Sequence, residues 1–96
     1  MMKSKATANE KKRVILSLNA EHGATVFVAG TFNNWDPCQK KLLDKNGNGT
    51  YCCALMLSPG TYEYKFKVND AWIIDQNNPQ FTQNSLGTLN SILEVN

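Results

Sequence analysis

The sequence predicts an all-β fold, and three features of the chain support that prediction. Short apolar stretches alternate with turn residues along the whole chain. No segment repeats its apolar residues every 3.6 positions over several turns, as an amphipathic helix would. Several short strands at this spacing are typical of a two-sheet antiparallel β-sandwich of the immunoglobulin-like type. A closed β-barrel is the alternative.

The predicted strands fall, in chain order, at residues 13–19, 25–31, 39–43, 50–57, 60–68, 72–74 and 89–95. Residues that favour turns separate them. These breaks are Glu21-His22-Gly23, the Asn-Gly pairs of residues 46–49, Ser58-Pro59-Gly60, Asn69-Asp70 and the polar stretch 75–87. A stretch as long as 75–87 is unusual in so small a domain, and it is either an ordered binding loop or a disordered connection.

Segment 60–68 has the clearest strand pattern. Its aromatic and apolar side chains alternate with Glu63, Lys65 and Lys67. Since successive side chains of a strand point to opposite faces, the segment has an aromatic inner face and a charged outer face.

A hairpin after this strand orients Trp72. Residues 69–70 tolerate positive φ and suit a two-residue turn, which pairs Lys67 with Trp72. Because directly opposed residues share a face, Trp72 points outward, and only an odd-length loop or a bulge would reverse it. The same register also turns the apolar Ile74 outward, and this exposure counts slightly against the predicted register.

The position of Trp35 does not follow from any strand pattern. It lies at the end of a predicted strand and precedes Asp36-Pro37, so that burial and exposure are equally compatible with the sequence. If one of the two indoles is buried, we expect it to be Trp35.

Charge and length predict one domain, residues 13–96, preceded by a flexible basic leader, residues 1–12. Residues 1–13 carry five basic side chains against one acidic, whereas residues 14–96 carry five basic and seven acidic. A nucleic-acid-binding module would cluster basic residues on its folded surface, so nucleic acid is not an expected partner.

Neither a membrane span nor a secretion signal is apparent, and we expect a cytoplasmic protein with no membrane partner. The odd number of cysteines, Cys38, Cys52 and Cys53, predicts reduced thiols, of which one or two pack in the core.

Catalysis and metal binding are not expected. His22, the only histidine, lies in a polar turn with no orienting partner. Asp36 and Asp75 could meet across loops as a carboxylate pair, but so small a domain offers no deep cleft for a sugar.

Residues 44–49 match the opening of an EF-hand loop, yet Leu55 stands where its glutamate belongs, so we expect an ordinary turn. No cofactor is implied.

An exposed indole beside Lys65 suits a ligand with an apolar face and a rim of hydroxyls. Sugar rings have both features, because their C–H groups pack on an aromatic face while polar side chains bind their hydroxyls. By analogy with bases stacked on aromatic rings, each platform is worth about 1–3 kcal/mol, so two indoles and a few hydrogen bonds predict affinities in the micromolar to millimolar range.

Four blocks of sequence resemble the family 48 carbohydrate-binding modules. The blocks are residues 26–35, residues 57–68, Trp72 and residues 86–91, and the resemblance covers roughly residues 14–95. This family includes the glycogen-binding domain of the AMP-activated protein kinase β subunit and the N-terminal modules of glycogen branching and debranching enzymes. The resemblance implies an immunoglobulin-like sandwich of the early-set type that binds α-1,4-linked glucan, such as glycogen or starch, without cleaving it.

The resemblance also implies six sugar-contacting residues with three roles. These are Trp35 and Trp72 as stacking platforms, Lys65 and Asn90 as hydrogen-bonding groups, and Leu86 with Thr88 as loop contacts. Asn33 and Asn34 would shape the turn that presents Trp35. The chain departs from the family pattern at Asn69-Asp70, usually Asp-Gly, and at Asp75-Gln76, usually Asp-Pro.

The predicted partner is therefore an α-glucan polysaccharide or oligosaccharide, and a glucan-metabolising enzyme is a second candidate partner. The alternative function is a docking domain of such an enzyme or of a kinase complex. It would use the same aromatic surface, since exposed aromatic side chains serve protein interfaces as readily.

Overall fold

The structure, a computed structural model, describes residues 10–96 as eight strands and one short 3-10 turn. The strands are β1 (Lys12–Asn19), β2 (Val26–Gly30), β3 (Lys40–Leu42), β4 (Thr50–Leu57), β5 (Gly60–Val68), β6 (Ala71–Ile73), β7 (Phe81–Gln83) and β8 (Leu89–Val95), and the 3-10 turn spans Thr31–Asn33. Most of the predicted leader, residues 1–9, lies outside the described residues, and Lys12 already belongs to β1.

Two antiparallel sheets form the sandwich. The small sheet pairs β1 with β4, and the large sheet has the order β3-β2-β5-β8-β7, with β6 paired to β5. The predicted all-β, two-sheet antiparallel architecture is confirmed. No helix among residues 10–96 is long and apolar enough to cross a membrane.

The core lies between the two sheets, where each strand contributes alternate side chains. Its buried members are Leu16, Leu18, Val26, Val28, Leu42, Tyr51, Tyr64 and Phe66. Because Tyr64 and Phe66 point inward, the intervening Lys65 points to the outer face of the large sheet.

Strand β7 was not predicted from the sequence. Its three residues lie inside the polar stretch 75–87 and have no apolar alternation. Pairing with β8 defines them, since Phe81 lies opposite Ser91 and Gln83 lies opposite Leu89. The predicted long loop is therefore two shorter connections, residues 74–80 and 84–88.

The β5–β6 hairpin has the predicted register. Lys67 pairs with Trp72, and Val68 pairs with Ala71. Asn69 adopts a φ of 51° in the turn, and its amide donates to Thr25 O at 2.7 Å while its Oδ1 accepts from Thr25 N at 2.9 Å. The turn is thus tied to the chain just before β2.

The three cysteines are free thiols. Cys53 is half-buried and packs against the core, and burial raises the pKa of its thiol. Cys38 and Cys52 are exposed. Adjacent Cys52 and Cys53 therefore lie on opposite faces of β4, as strand geometry requires.

Gly30 ends β2 where the chain has no room for a side chain. A Cβ there would lie 2.8 Å from Phe32 Cε2 and 2.9 Å from Tyr64 Cβ, and it would also meet the carbonyl oxygen of Glu63. Since Gly30 pairs with Tyr64, the close approach belongs to the β2–β5 register itself.

The variant Gly30→Ala should lower the free energy of unfolding by about 3 kcal/mol, because the methyl group forces β2 away from β5. Urea titration followed by tryptophan fluorescence measures this. Gly47→Ala is the control: its φ of +69° costs about 1 kcal/mol in strain, but no atom lies within 4 Å of the new Cβ. Equal losses in the two variants would contradict the steric explanation.

Candidate functional site

An open groove of about 800 Å³ lies on the outer face of the large sheet. All six residues that the sequence nominated line it, namely Trp35, Lys65, Trp72, Leu86, Thr88 and Asn90. The other lining residues are Thr31, Glu63, Ile74, Asn84, Ser85 and Leu89. The groove thus collects residues from the β2–β3 connection, β5, the β5–β6 hairpin and the β7–β8 hairpin.

Trp72 forms one wall of the groove. The hairpin register turns it outward, and 45% of its surface is exposed. Lys67 Nζ lies 6.0 Å from the centroid of the indole, within the range of a cation–π contact. Ile74 lines the groove as well, so the outward isoleucine that counted against this register contributes an apolar contact surface.

Trp35 forms a second wall, and it is 36% exposed rather than buried. Asn34 and Trp35 both have left-handed backbones, with φ of 56° and 59°. Asn33 holds this turn, because its Oδ1 accepts from Gly30 N at 3.0 Å and its Nδ2 donates to Val28 O at 3.3 Å. A left-handed backbone at a bulky residue is costly, and such strain is concentrated at functional sites.

The predicted role of Asn33 and Asn34 in shaping this turn is visible in two different forms. Asn33 acts through its side chain, whereas Asn34 acts through its left-handed backbone. The Trp35 amide closes the turn by donating to Gly30 O at 2.9 Å.

Lys65 and Thr88 meet in the groove. Lys65 Nζ donates to Thr88 Oγ1 at 3.0 Å, and Asn84 Nδ2 donates to the same oxygen at 2.7 Å. Both lone pairs of that hydroxyl are therefore occupied, which leaves its hydrogen to donate to a ligand. Lys65 keeps two of its three N–H groups for further acceptors.

Asn84 organises the loop that presents Leu86, and sequence reasoning missed it. Its Oδ1 accepts from the amides of Leu86 and Thr88, at 3.0 and 3.1 Å. Gly87 adopts the φ of 85° that the turn needs, and Leu86 is left 86% exposed. An asparagine two residues before the tip of a loop is a recognisable turn signal, which could have identified it.

Asn90 lies at the floor of the groove with only 5% of its surface exposed. Its Nδ2 donates to Glu63 Oε1 at 2.9 Å, and its Oδ1 accepts from Asn84 Nδ2 at 3.2 Å. One N–H of its amide remains available to a ligand. Glu63, which alternation placed on the same face as Lys65, adds a carboxylate to the groove.

A buried polar cluster fixes the chain that leads into β7. Tyr64 Oη donates to Asp75 Oδ2 at 2.8 Å, and Asp75 N donates to Ser91 Oγ at 2.8 Å. Asn78 Nδ2 donates to Tyr64 Oη at 3.1 Å and to Ile92 O at 2.7 Å. Burial raises the pKa of Tyr64, Asn78 opposes this shift, and the neighbouring Asp75 adds to it.

The motifs considered for catalysis or metal binding have structural roles. Asp44 accepts from the amides of Asn48 and Gly49, at 3.1 and 2.8 Å, so its carboxylate serves the turn 44–49. Asp36 is exposed and accepts from Cys38 N at 2.9 Å, whereas Asp75 is buried against Tyr64. Within residues 10–96, no three His, Cys, Asp or Glu side chains are grouped as a metal site would require.

Residues 14–96 match the family described as the glycogen recognition site of AMP-activated protein kinase. The chain belongs to this family. It is similar to 5'-AMP-activated protein kinase subunit beta-2 of Mus musculus, with 38% identity over 76 residues, which cover 79% of this chain and 27% of that protein. Subunit beta-1 of Sus scrofa is 36% identical over 73 residues, which cover 76% of this chain and 56% of that protein.

The beta-1 subunit of Homo sapiens is 36% identical over 73 residues, which cover 76% of this chain and 25% of that protein. This chain therefore spans about a quarter of the length of the first curated relatives it matches. The family match begins in β1 and includes every residue that lines the groove.

The variant Asn84→Ala should loosen the β7–β8 loop of this glycogen-recognition domain. It removes the acceptor of the Leu86 and Thr88 amides, so their hydrogen exchange, measured by NMR, should accelerate about tenfold. Gln83→Ala is the control, since its side chain makes one exposed bond, to Gly87 O at 3.3 Å. Unchanged exchange at Leu86 and Thr88 in Asn84→Ala would contradict the role assigned to Asn84.

The variant Tyr64→Phe should be less stable than wild type by about 1–3 kcal/mol near neutral pH, because Asp75 loses a buried donor. This gap should narrow above the ordinary tyrosine pKa of 10.0. The raised pKa keeps Tyr64 neutral in the fold while the unfolded chain ionises, so its contribution is lost as pH rises. Urea unfolding at about pH 8 and about pH 11 tests this, and a constant gap would contradict it.

Proposed function

We propose that this chain binds glycogen-like α-1,4-linked glucan in the groove and does not cleave it. The observation that carries the proposal is the arrangement of two exposed indoles, Trp35 and Trp72, around a set of ordered polar side chains. The family match supports the ligand class, since it concerns a glycogen recognition site. A glucose ring has the matching pair of surfaces, an apolar face and a rim of hydroxyls.

In this proposal the six residues have the roles that the resemblance implied. Trp35 and Trp72 stack on glucose rings, and the exposed Leu86 packs against the sugars from the loop side. Lys65 and Asn90 offer their remaining N–H groups to hydroxyl oxygens, and Thr88 offers its free hydroxyl hydrogen. Two platforms at about 1–3 kcal/mol each, together with the hydrogen bonds to hydroxyls, place the affinity in the micromolar to millimolar range.

The groove chemistry supports binding without hydrolysis. Glycoside hydrolysis uses two carboxyl groups on either side of the scissile bond. Among the described residues that line the groove, Glu63 is the single carboxylate, and it is hydrogen-bonded to Asn90. His22, in the β1–β2 turn, is not one of the lining residues.

A cytoplasmic location is part of the proposal. The three cysteines are free in the structure, and reduced thiols are typical of the cytoplasm, whereas oxidising compartments favour disulfides.

Electrophoresis through a native gel that contains glycogen tests the proposal. Wild type should be retarded, and Trp72→Ala or Trp35→Ala should lose most of the retardation, because each removes a platform worth about 1–3 kcal/mol, which is roughly 5- to 150-fold in affinity. Phe81→Ala is the matched control, since Phe81 is an exposed aromatic side chain that does not line the groove.

Equal migration of wild type with and without glycogen would overturn the proposal. Retardation of Trp72→Ala as strong as that of wild type would overturn the stacking role alone. The docking alternative makes a different forecast: a co-purifying protein would shield both indoles from a soluble quencher, and glycogen would have no effect on mobility.

A further inference from the structure

Beyond the groove, the outer face of the large sheet carries an alternating row of lysine and aromatic side chains. Lys41 of β3 pairs with Phe27 of β2, Phe27 pairs with Lys67 of β5, and Lys67 pairs with Trp72 of β6. Since directly opposed residues share a face, all four side chains lie on one line across four strands. Three interstrand spacings give the row a length of about 14 Å.

This row is continuous with the groove, because Trp72 belongs to both. A separate shallow cavity of about 290 Å³ lies along the row, lined by Thr25, Phe27, Lys67, Asn69 and Asp70. A glucan that stacks on Trp72 and continues in this direction meets Lys67, the half-buried ring of Phe27 and then Lys41.

The row concentrates positive charge on a body that is otherwise acidic. Residues 14–96 carry a formal charge of −2, from five lysines against seven acidic side chains. Three of those five lysines, Lys41, Lys65 and Lys67, lie on the outer face of the large sheet. A hydrogen bond between an ammonium group and an anion, in which both partners are charged, is about twice as strong as one between neutral groups.

We propose that this row is a subsite for a phosphate ester carried by the bound α-glucan, a conclusion that rests on the proposed function. A phosphate monoester carries a charge of about −2 at neutral pH and offers three acceptor oxygens. Lys67 and Lys41 supply ammonium groups on both sides of Phe27, whose ring serves as a third apolar surface for the sugar. The hydroxyl of Thr25 supplies a further donor in the cavity.

One acidic group opposes an anion at this place. Asp70 Oδ1 lies 4.0 Å from Lys67 Nζ, and its side chain is fully exposed. Because solvent screens such a pair strongly, Asp70 lowers the affinity of Lys67 for an anion but does not abolish it. Removing this charge should therefore strengthen the preference for phosphate.

The experiment compares two preparations of one linear α-glucan oligosaccharide, one carrying phosphate monoesters and one treated with phosphatase. Binding is followed by tryptophan fluorescence at low ionic strength, about 50 mM salt, where charge interactions are least screened. Wild type should bind the phosphorylated preparation about fivefold more tightly. Inorganic phosphate at equal concentration should not displace it, because a free anion makes no contact with the rings.

Charge variants locate the effect. Lys41→Gln should reduce the preference for the phosphorylated preparation to less than about twofold, and Lys41→Arg should retain it. Lys45→Gln, with the same loss of charge in the turn 44–49, is the matched control and should retain the preference. Asp70→Asn should increase it about twofold.

Equal binding of the two preparations by wild type would overturn the phosphate subsite and leave glucan binding intact. A preference that Lys41→Gln and Lys45→Gln reduce to the same extent would also overturn it, since net charge rather than the row would then be responsible. Displacement by inorganic phosphate would overturn it as well. Binding of neither preparation would overturn the proposed function together with this inference.

Discussion

The pairing of β5 with its neighbours is the constraint on which the rest of the structure depends. One edge of β5 pairs with β2, and the other pairs first with β8, through Tyr64, and then with β6, from Phe66 onward. Lys65 therefore lies where β8 and β6 meet, and the groove forms at that junction. A slip of one residue would exchange Lys65 with the buried aromatic residues on either side of it. The close approach at Gly30 helps to hold β5 against β2 in this register.

Hydrogen bonds between side chains of the groove order it before any ligand arrives. Glu63 accepts from Asn90, Asn90 accepts from Asn84, and Asn84 and Lys65 both donate to Thr88. These hydrogen bonds form one network that joins β5, β8 and the β7–β8 loop. Side chains that are already held in place lose little conformational entropy on binding, so even a few weak contacts to a sugar can contribute net affinity.

Several parts of the fold and the groove followed from local patterns. Strands β4, β5 and β8 have the predicted bounds, and the outward orientation of Trp72 followed from the hairpin before any resemblance was considered. The six nominated residues do lie together, although their nomination came from resemblance. Strand β7 and the role of Asn84 were missed, because their partners are set by the tertiary fold. The pairing of Tyr64 with Asp75 was missed for the same reason.

By itself, the sequence determined the all-β class, the inward and outward faces of β5 and the parity of Trp72. These properties depend on alternation and on a two-residue turn, which act over neighbouring residues. Only the tertiary structure decided that Trp35 is exposed. Its orientation depends on two consecutive left-handed residues and on Gly30, whose space is limited by β5 more than thirty positions away. The two indoles therefore reach the same groove by different means, one through local parity and the other through long-range packing.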